Sequence, residues 1–381
     1  KLLGNIIKSH AGDDVYIAVE KLRKGFINLR KSNNPIKHDQ LIRYIKRLDP
    51  TTLTNVIRSF SKYFALVNVA EEAYQHINRT DRLKSGFESW EGSFDQTLRE
   101  CKTADIDAHQ LESLINSLHY IPVFTAHPTE AKRRSKLEAM RRIFNTILEL
   151  QSYKGQSIKR EELIDELQAE ILILWRTDEV RLRKPTVLDE VENGLYYFRT
   201  SLFKAIPEVY RDLEKAIKRV YHTDQIKVPS FIRFGSWIGG DRDGHPGVTA
   251  KVTQETVFWL RKEAIDFHLQ TAKRLFDSFS LSSRQAGKMP DLSQSIQKAT
   301  EKWPALERRI SSIPPNELLR RWVSMIRWRL QQSEAKVKDC IESCSEQDSD
   351  QLDSRFQEQS TDISGSYGSS DELGKDVQLL L

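Results

Sequence analysis

Ser230-Phe231-Ile232-Arg233-Phe234-Gly235-Ser236-Trp237-Ile238 alternates large apolar and polar side chains at a period of two. It runs without a break into Gly239-Gly240-Asp241-Arg242-Asp243-Gly244-His245-Pro246-Gly247. The first half reads as a strand and the second as a loop at its carboxyl end. A second short segment, Ile121-Pro122-Val123-Phe124-Thr125-Ala126, is apolar and partly β-branched, and it leads directly into His127-Pro128-Thr129-Glu130. Isolated strands in a helical background are awkward for a bundle. They suit an α/β barrel, where chemistry gathers beyond the strands' carboxyl ends. The expected fold is mainly α with a few strands, part of a helix-rich (β/α)8-type barrel.

The helical background is legible in apolar residues spaced three and four apart. Leu53, Val56, Phe60, Phe64 and Val67 form one stripe; Leu137, Met140, Phe144 and Ile147 form another; Ile164, Leu167, Ile171, Leu174 and Trp175 form a third. Each predicts a helix packing its apolar face into a core. Pro185 predicts the end of the third helix near Lys184, with Glu179 and Arg183 paired along its face. From Ser343 to Lys375 the chain is rich in Ser, Gln, Asp and Gly, which predicts a solvated linker. The reading therefore divides the chain into 1–342, a linker 343–375, and a new element opening at 376–381.

Hydrophobic residues make up 39% and charged residues 30% of the 381 residues, and mean hydropathy is −0.55. No uninterrupted apolar run is long enough to span a bilayer, and the N-terminus KLLGNIIKSHAGDD lacks the pattern of a secretory signal. The three cysteines, Cys101, Cys340 and Cys344, form no disulfide framework and point to a reducing, cytoplasmic setting. Net charge is only +5, from 59 basic and 54 acidic residues interleaved along the chain. That pattern argues against a nucleic-acid surface. The first residue is not Met and the last ones are apolar, so further chain is expected at both ends.

Two constellations carry chemistry. Pro128 suits the first position of a helix, placing His127 at its N-cap. There the positive end of the helix dipole disfavours a protonated ring, giving either a proton acceptor or a capping or hydrogen-bonded core histidine. The basic run Lys132-Arg133-Arg134-Ser135-Lys136 follows, either as an anion site or as a solvated face paired with Glu130 and Glu138. In the second constellation, five of the chain's 16 glycines fall within the 13 residues from Gly235 to Gly247. Such a concentration lets a ligand approach the backbone closely. Asp241 and Asp243 can bind a metal, or can pair with Arg242 to hold the loop's shape.

In this order, the motifs resemble phosphoenolpyruvate carboxylase. The hallmark T-A-H-P-T is Thr125 to Thr129, followed by Arg133-Arg134-Ser135. W-x-T-D-E-x-R is Trp175 to Arg181, with K-P-T at Lys184-Pro185-Thr186 and D-E at Asp189-Glu190. S-W-x-G-G-D-R-D-G-x-P is Ser236 to Pro246. Many members carry Asn where His245 stands here.

The resemblance implies reaction of phosphoenolpyruvate with bicarbonate to oxaloacetate and phosphate, with His127 accepting a proton. It implies Trp237 and Arg242 as substrate-binding residues, and Gly239, Gly240, Asp241, Asp243 and Gly244 as the active-site loop. Arg133 and Arg134 match residues that bind an anionic activator in some members. Magnesium or manganese is implied, with its ligands in a C-terminal half whose motifs do not occur in this sequence. The chain is accordingly expected to be an incomplete N-terminal portion of the barrel, inactive alone, from an enzyme that is a homotetramer at full length. Its rivals are a helical regulatory or nucleic-acid-binding module, and a non-catalytic scaffold derived from the carboxylase.

Overall fold

A computed structural model describes residues 1–32, 34–85, 90–125, 134–153, 155, 157–178, 185–287, 289–346 and 365–380. The chain forms two compact units, one of Lys1–Asp107, Glu130–Lys184 and Ala216–Asp224, the other of Ala108–Thr129, Pro185–Lys215 and Gln225–Leu381. The fold is mainly helical, and the strands among the described residues are two short ones.

The first unit is built from α1 (Leu2–Ala11), α2 (Asp13–Ser32), α3 (Pro35–Arg47), α4 (Pro50–Lys84) and α5 (Phe94–Thr103), then α7 (Arg134–Ser152) and α8 (Ile158–Arg176). Asn34 caps α3, its side chain accepting from the amides of Ile36 and Lys37. The core joins Ile6, Val15, Leu22, Val56, Ile143, Leu167, Ile171, Leu174 and Trp175. Of the α8 stripe, Leu167, Ile171, Leu174 and Trp175 pack as expected; of the α7 stripe, Met140, Phe144 and Ile147 pack against this core only partly buried, and the buried residues of α7 are Ala139, Ile143 and Thr146.

The α4 stripe does not. Val56 is buried, but Phe64 is 60% exposed and Val67 38%. The buried line runs instead through Val56, Ser59, Lys62, Val69 and Ala73, also at steps of three and four or their sum. It includes a lysine that the apolar count skips. Lys62 is 0% exposed, and its ammonium donates to the carbonyl of Thr177 at 3.2 Å. That bond satisfies a carbonyl at the negative end of α8. Helix α8 itself stops at Arg176, with Thr177 in extended conformation at its C-cap, well before the stop expected from Pro185. The hydroxyl of Thr177 bonds back to the Ile173 carbonyl at 2.8 Å. The expected Glu179–Arg183 pair lies outside the described residues.

The second unit contains α6 (Ala108–Asn116), β1 (Val123–Phe124), α9 (Val187–Tyr197), a π-helical turn (Phe198–Leu202), the first part of α10 (Phe203–Tyr221), and β2 (Gly235–Ser236). It continues with α11 (Ala250–Ser278), α12 (Ser283–Ala286), α13 (Pro290–Lys302), α14 (Pro304–Ile310), α15 (Leu318–Glu346) and α16 (Ser370–Gln378). Thr186 and Asp189 form a capping box on α9, so this part of the K-P-T and D-E motifs has a structural task. The core packs α11, α13, α14 and α15 around Leu306, Ile310, Val323, Ile326 and Leu330.

The linker expected over 343–375 is helical at both ends: α15 runs on to Glu346 and α16 begins at Ser370. Composition hid two packed anchors, Cys344 at 0% exposure and Tyr367 at 5%. The element expected to open at 376 has already begun within that stretch. Residues 347–364 lie outside the described residues. Burial pushes the Cys340 and Cys344 thiols up, away from the reactive thiolate. Alkylation of Cys344 at neutral pH should therefore be slow in the native chain and fast in denaturant, as mass spectrometry would register. Equal labelling rates would contradict this packing. No helix among the described residues is long and apolar enough to cross a membrane.

Candidate active site

Strands β1 and β2 lie side by side and parallel, with Val123 opposite Gly235 and Phe124 opposite Ser236. A bridge pairs Tyr120 with Ile232. The ladder is longer than the named strands. Tyr120 N donates to Phe231 O at 2.9 Å, Arg233 N to Tyr120 O at 3.0 Å, Gly235 N to Pro122 O at 3.0 Å, and Trp237 N to Phe124 O at 2.8 Å. Pro122 contributes only its carbonyl, as its missing N–H requires. From α10, the hydroxyl of Tyr210 accepts from both Phe231 N (3.0 Å) and Ile232 N (2.9 Å), fixing where β2 begins.

The two segments singled out by their alternation are thus neighbours running the same way, and their carboxyl ends meet at Phe124-Thr125 and Ser236-Trp237. His127 and Arg133 lie outside the described residues, so the inferred N-cap position of the imidazole is left as an expectation. Arg134 is described. Its guanidinium pairs with Glu138 at 2.8 Å, as the solvated-face reading expects. A pair this exposed is weak.

The glycine loop is organised from its base. The Trp237 carbonyl accepts from Gly240 N at 3.0 Å and Asp241 N at 2.9 Å, while the Trp237 indole stands 56% exposed. Its backbone is held on both sides and its ring is presented to solvent. Ile238 turns inward against Val191 and Leu195 of α9. Gly239 is buried at φ +74, where an added Cβ would lie 2.9 Å from the Cβ and Cγ2 of Thr256 on α11. Only glycine fits there.

Beyond the base, Asp241, Arg242, Asp243 and Gly244 are exposed. The loop is shaped by an Asx turn, in which Asp241 Oδ1 accepts from Asp243 N at 3.0 Å, and by Gly244 at φ +64. The alternative that Asp-Arg-Asp ion pairs hold the loop finds no counterpart: none joins Arg242 to either aspartate among the described residues. The guanidinium is left available to an anion.

Behind the strand ends lies a cavity of about 170 Å³ lined by Phe124, Phe198, Phe234, Ile238 and Thr256, among others. The three phenylalanine rings stand 5.1 to 6.0 Å apart. Sequence reasoning missed a second feature, Arg199 on the π-helical turn, which is bidentate to Glu192 (2.6 and 3.1 Å) and also reaches Glu263 at 2.6 Å. Its only signal was position, seven residues after one partner and 64 before the other. Among the described residues no group of three or more His, Cys, Asp or Glu could hold a metal ion.

A family model described as phosphoenolpyruvate carboxylase matches residues 1–381. A phosphoenolpyruvate carboxylase of Roseiflexus castenholzii is 36% identical over 331 residues, covering 86% of this chain and 35% of that protein. Those of Burkholderia mallei and Nitrosomonas europaea are 30% identical over 289 residues and 31% over 284, covering 75% and 74% of this chain and 29% and 30% of theirs. The chain spans about a third of the length of the curated relatives it matches.

Proposed function

The chain belongs to the phosphoenolpyruvate carboxylase family, and from that premise we propose that it forms part of an enzyme that carboxylates phosphoenolpyruvate with bicarbonate, giving oxaloacetate and inorganic phosphate. The observation that carries this reading is the parallel pairing of β1 with β2. It brings the start of T-A-H-P-T beside S-W-x-G-G-D-R-D-G, so residues 111 positions apart (Thr125 and Ser236) can serve one ligand.

In this reading a bicarbonate oxygen attacks phosphorus, and the bond from phosphorus to the enol oxygen breaks, giving carboxyphosphate and the enolate of pyruvate. His127 takes the carboxyphosphate proton, and carbon dioxide and phosphate separate. The enolate's methylene carbon then attacks carbon dioxide. The exposed Trp237 ring lies over that methylene and shields the enolate from protonation by water. Arg242, without an ion-pair partner among the described residues, neutralises an anionic group of the substrate. Arg133 and Arg134 serve an anionic activator, for which Arg134 exchanges its surface partner Glu138.

Magnesium or manganese would act as a Lewis acid on the substrate oxygens. The described residues do not fit such an ion. Of the two loop carboxylates, Asp241 is already engaged by the amide of Asp243, and among the described residues no third donor joins them. In this reading its ligands come from the part of the relatives this chain does not cover. The same holds for the rest of the (β/α)8 barrel and for the homotetramer. Parallel strands are ordinarily covered on both faces, yet Tyr120, Ile121 and Val123 are 61%, 56% and 45% exposed. The cytoplasmic setting belongs to the same reading.

The test is oxaloacetate formation, followed by coupled oxidation of NADH in the presence of malate dehydrogenase. A polypeptide continuing this chain to the length of its curated relatives should form oxaloacetate from phosphoenolpyruvate, bicarbonate and Mg²⁺, and the 381-residue chain alone negligibly little. No product from the longer polypeptide would overturn the function. Ready turnover by the chain alone would overturn the placement of the metal site.

A further inference from the structure

The loop carries one side chain to which nothing above assigns a task. His245 is partly buried, and its two ring nitrogens differ sharply. Nδ1 is sealed from solvent and has no hydrogen-bond partner. It packs against Gly247, where an added Cβ would lie 3.1 Å from His245 Cε1, 3.3 Å from Nδ1 and 3.5 Å from Val187 Cγ2. Nε2 is not among the sealed atoms and has no hydrogen-bond partner among the described residues. The backbone on either side is tied down: His245 N donates to Arg242 O at 3.3 Å and its carbonyl accepts from Val248 N at 3.1 Å. The ring is packed along its Nδ1 and Cε1 edge against Gly247, and the turn from His245 N to Arg242 O ties it to the exposed Asp241–Gly244 stretch.

Placing a proton on a sealed Nδ1 would bury an N–H donor with no acceptor. Leaving a lone pair there costs less, since orphaned buried N–H donors are rarer in folded proteins than under-satisfied acceptors, while an Nε2–H can be met by water. In the neutral ring the proton therefore sits on Nε2. We infer that His245 is a specificity residue of this loop: through Nε2–H it donates a hydrogen bond to an oxyanion, phosphate or carboxylate, of the ligand that Arg242 also attracts. The inference rests on the proposed function, because it takes phosphoenolpyruvate as that ligand.

The orphaned nitrogen also makes the inference separable from folding. Replacing a buried polar atom that lacks a partner by carbon is neutral or mildly stabilising, so His245→Phe keeps that packing and loses only the donor. In the 381-residue chain, long-range ¹H–¹⁵N correlation spectra of the imidazoles should show His245 as the Nε2–H tautomer. Phosphoenolpyruvate should move its Nε2 signal while Nδ1 stays, and arms with inorganic phosphate and with pyruvate tell which oxyanion is held. In the polypeptide continued to the relatives' length, His245→Phe should raise KM for phosphoenolpyruvate about 10-fold or more, at nearly unchanged kcat and melting temperature. His245→Gln, which restores a donor, should recover part of the loss. An Nδ1–H tautomer, or an unchanged KM in His245→Phe, overturns this inference and leaves the proposed function standing. If the unmodified longer polypeptide neither binds nor converts phosphoenolpyruvate, both fall.

Discussion

Gly239→Ala is expected to destabilise the second unit by roughly 2–5 kcal/mol, while Gly240→Ala, one residue on, costs no more than about 1 kcal/mol. The contrast follows from what each Cβ would meet. At Gly239 the backbone sits at φ +74, which costs an L-residue about 1–2 kcal/mol by itself. The new methyl would then press on Thr256, 2.9 Å from two of its carbons and nearer still to its hydroxyl. Thr256 cannot swing away: it is 4% exposed, and its hydroxyl donates to the Val252 carbonyl at 2.7 Å. Overpacking of this kind adds about 1–3 kcal/mol. At Gly240 the nearest atoms, the carbonyls of Ser236 and Trp237, would be 3.9 Å away. Urea unfolding of the two variants checks the difference. Adding Thr256→Ala should restore only part of the packing loss, because it removes the hydroxyl and Cγ2 but leaves Thr256 Cβ 2.9 Å away, and it should leave the backbone part untouched. If Gly239→Ala unfolds at the wild-type midpoint, the loop's base is not built on this contact. If it is, the same substitution should also displace Trp237, whose carbonyl holds the next two amides.

The outline of this architecture was legible because two periodicities stand far apart. Period-two alternation at Phe231–Ile238 and steps of three and four along α7 and α8 each follow from which face must be buried. The parallel pairing was not legible from either strand alone. It depends on carbonyls and amides, such as Gly235 N to Pro122 O, that every sequence carries alike. The α4 stripe misled because apolarity was counted and burial was not. Lys62 lies on the packed line because a helix end needs a donor there, whereas Phe64 lies off it. The end of α8 was misjudged for a related reason. Pro185 forbids a helix beyond it, but the Thr177 hydroxyl and Lys62 had already closed the turn eight residues earlier. In the glycine loop, composition announced an unusual backbone, and coordinates were needed to separate Gly239, locked against Thr256, from Gly240, which is open. The catalytic expectation for His127 rests on its sequence neighbours and on the family.

Arg329→Ala should cost the second unit about 3–5 kcal/mol and free residues 365–380 from α15. Arg329 is 7% exposed on α15, and every face of its guanidinium is used. Nε donates to the Gly365 carbonyl at 3.2 Å, one terminal nitrogen to Asp376 at 2.9 Å and the other to Glu372 at 2.9 Å. Its plane lies 4.0 Å from the Tyr367 ring centre and 4.8 Å from that of Trp303. The Tyr367 hydroxyl donates to the same Asp376 carboxylate at 2.8 Å. Burial, then Asp376, pushes that phenol far above its ordinary value, so it stays a donor across the working pH range. Truncating Arg329 would leave Asp376, with a side chain only 15% exposed, charged and short of a partner. Glu372, at 45%, would simply hydrate. Most of the loss is therefore assigned to Asp376. The pair Arg329→Met with Asp376→Asn should recover a substantial part of it, because removing both charges avoids burying either. Arg329→Lys should fall between, keeping the charge but losing the planar fork and the stacking. Denaturant midpoints give the energies, and limited proteolysis reports whether cleavage within 365–380 accelerates. If Arg329→Ala unfolds within about 1 kcal/mol of wild type with cleavage unchanged, that segment is held by the apolar contacts of Tyr367, Leu373 and Leu380 and by bonds such as Trp322 Nε1 to Asp376 O and Tyr367 N to Ser333 Oγ, and the charge network contributes only register.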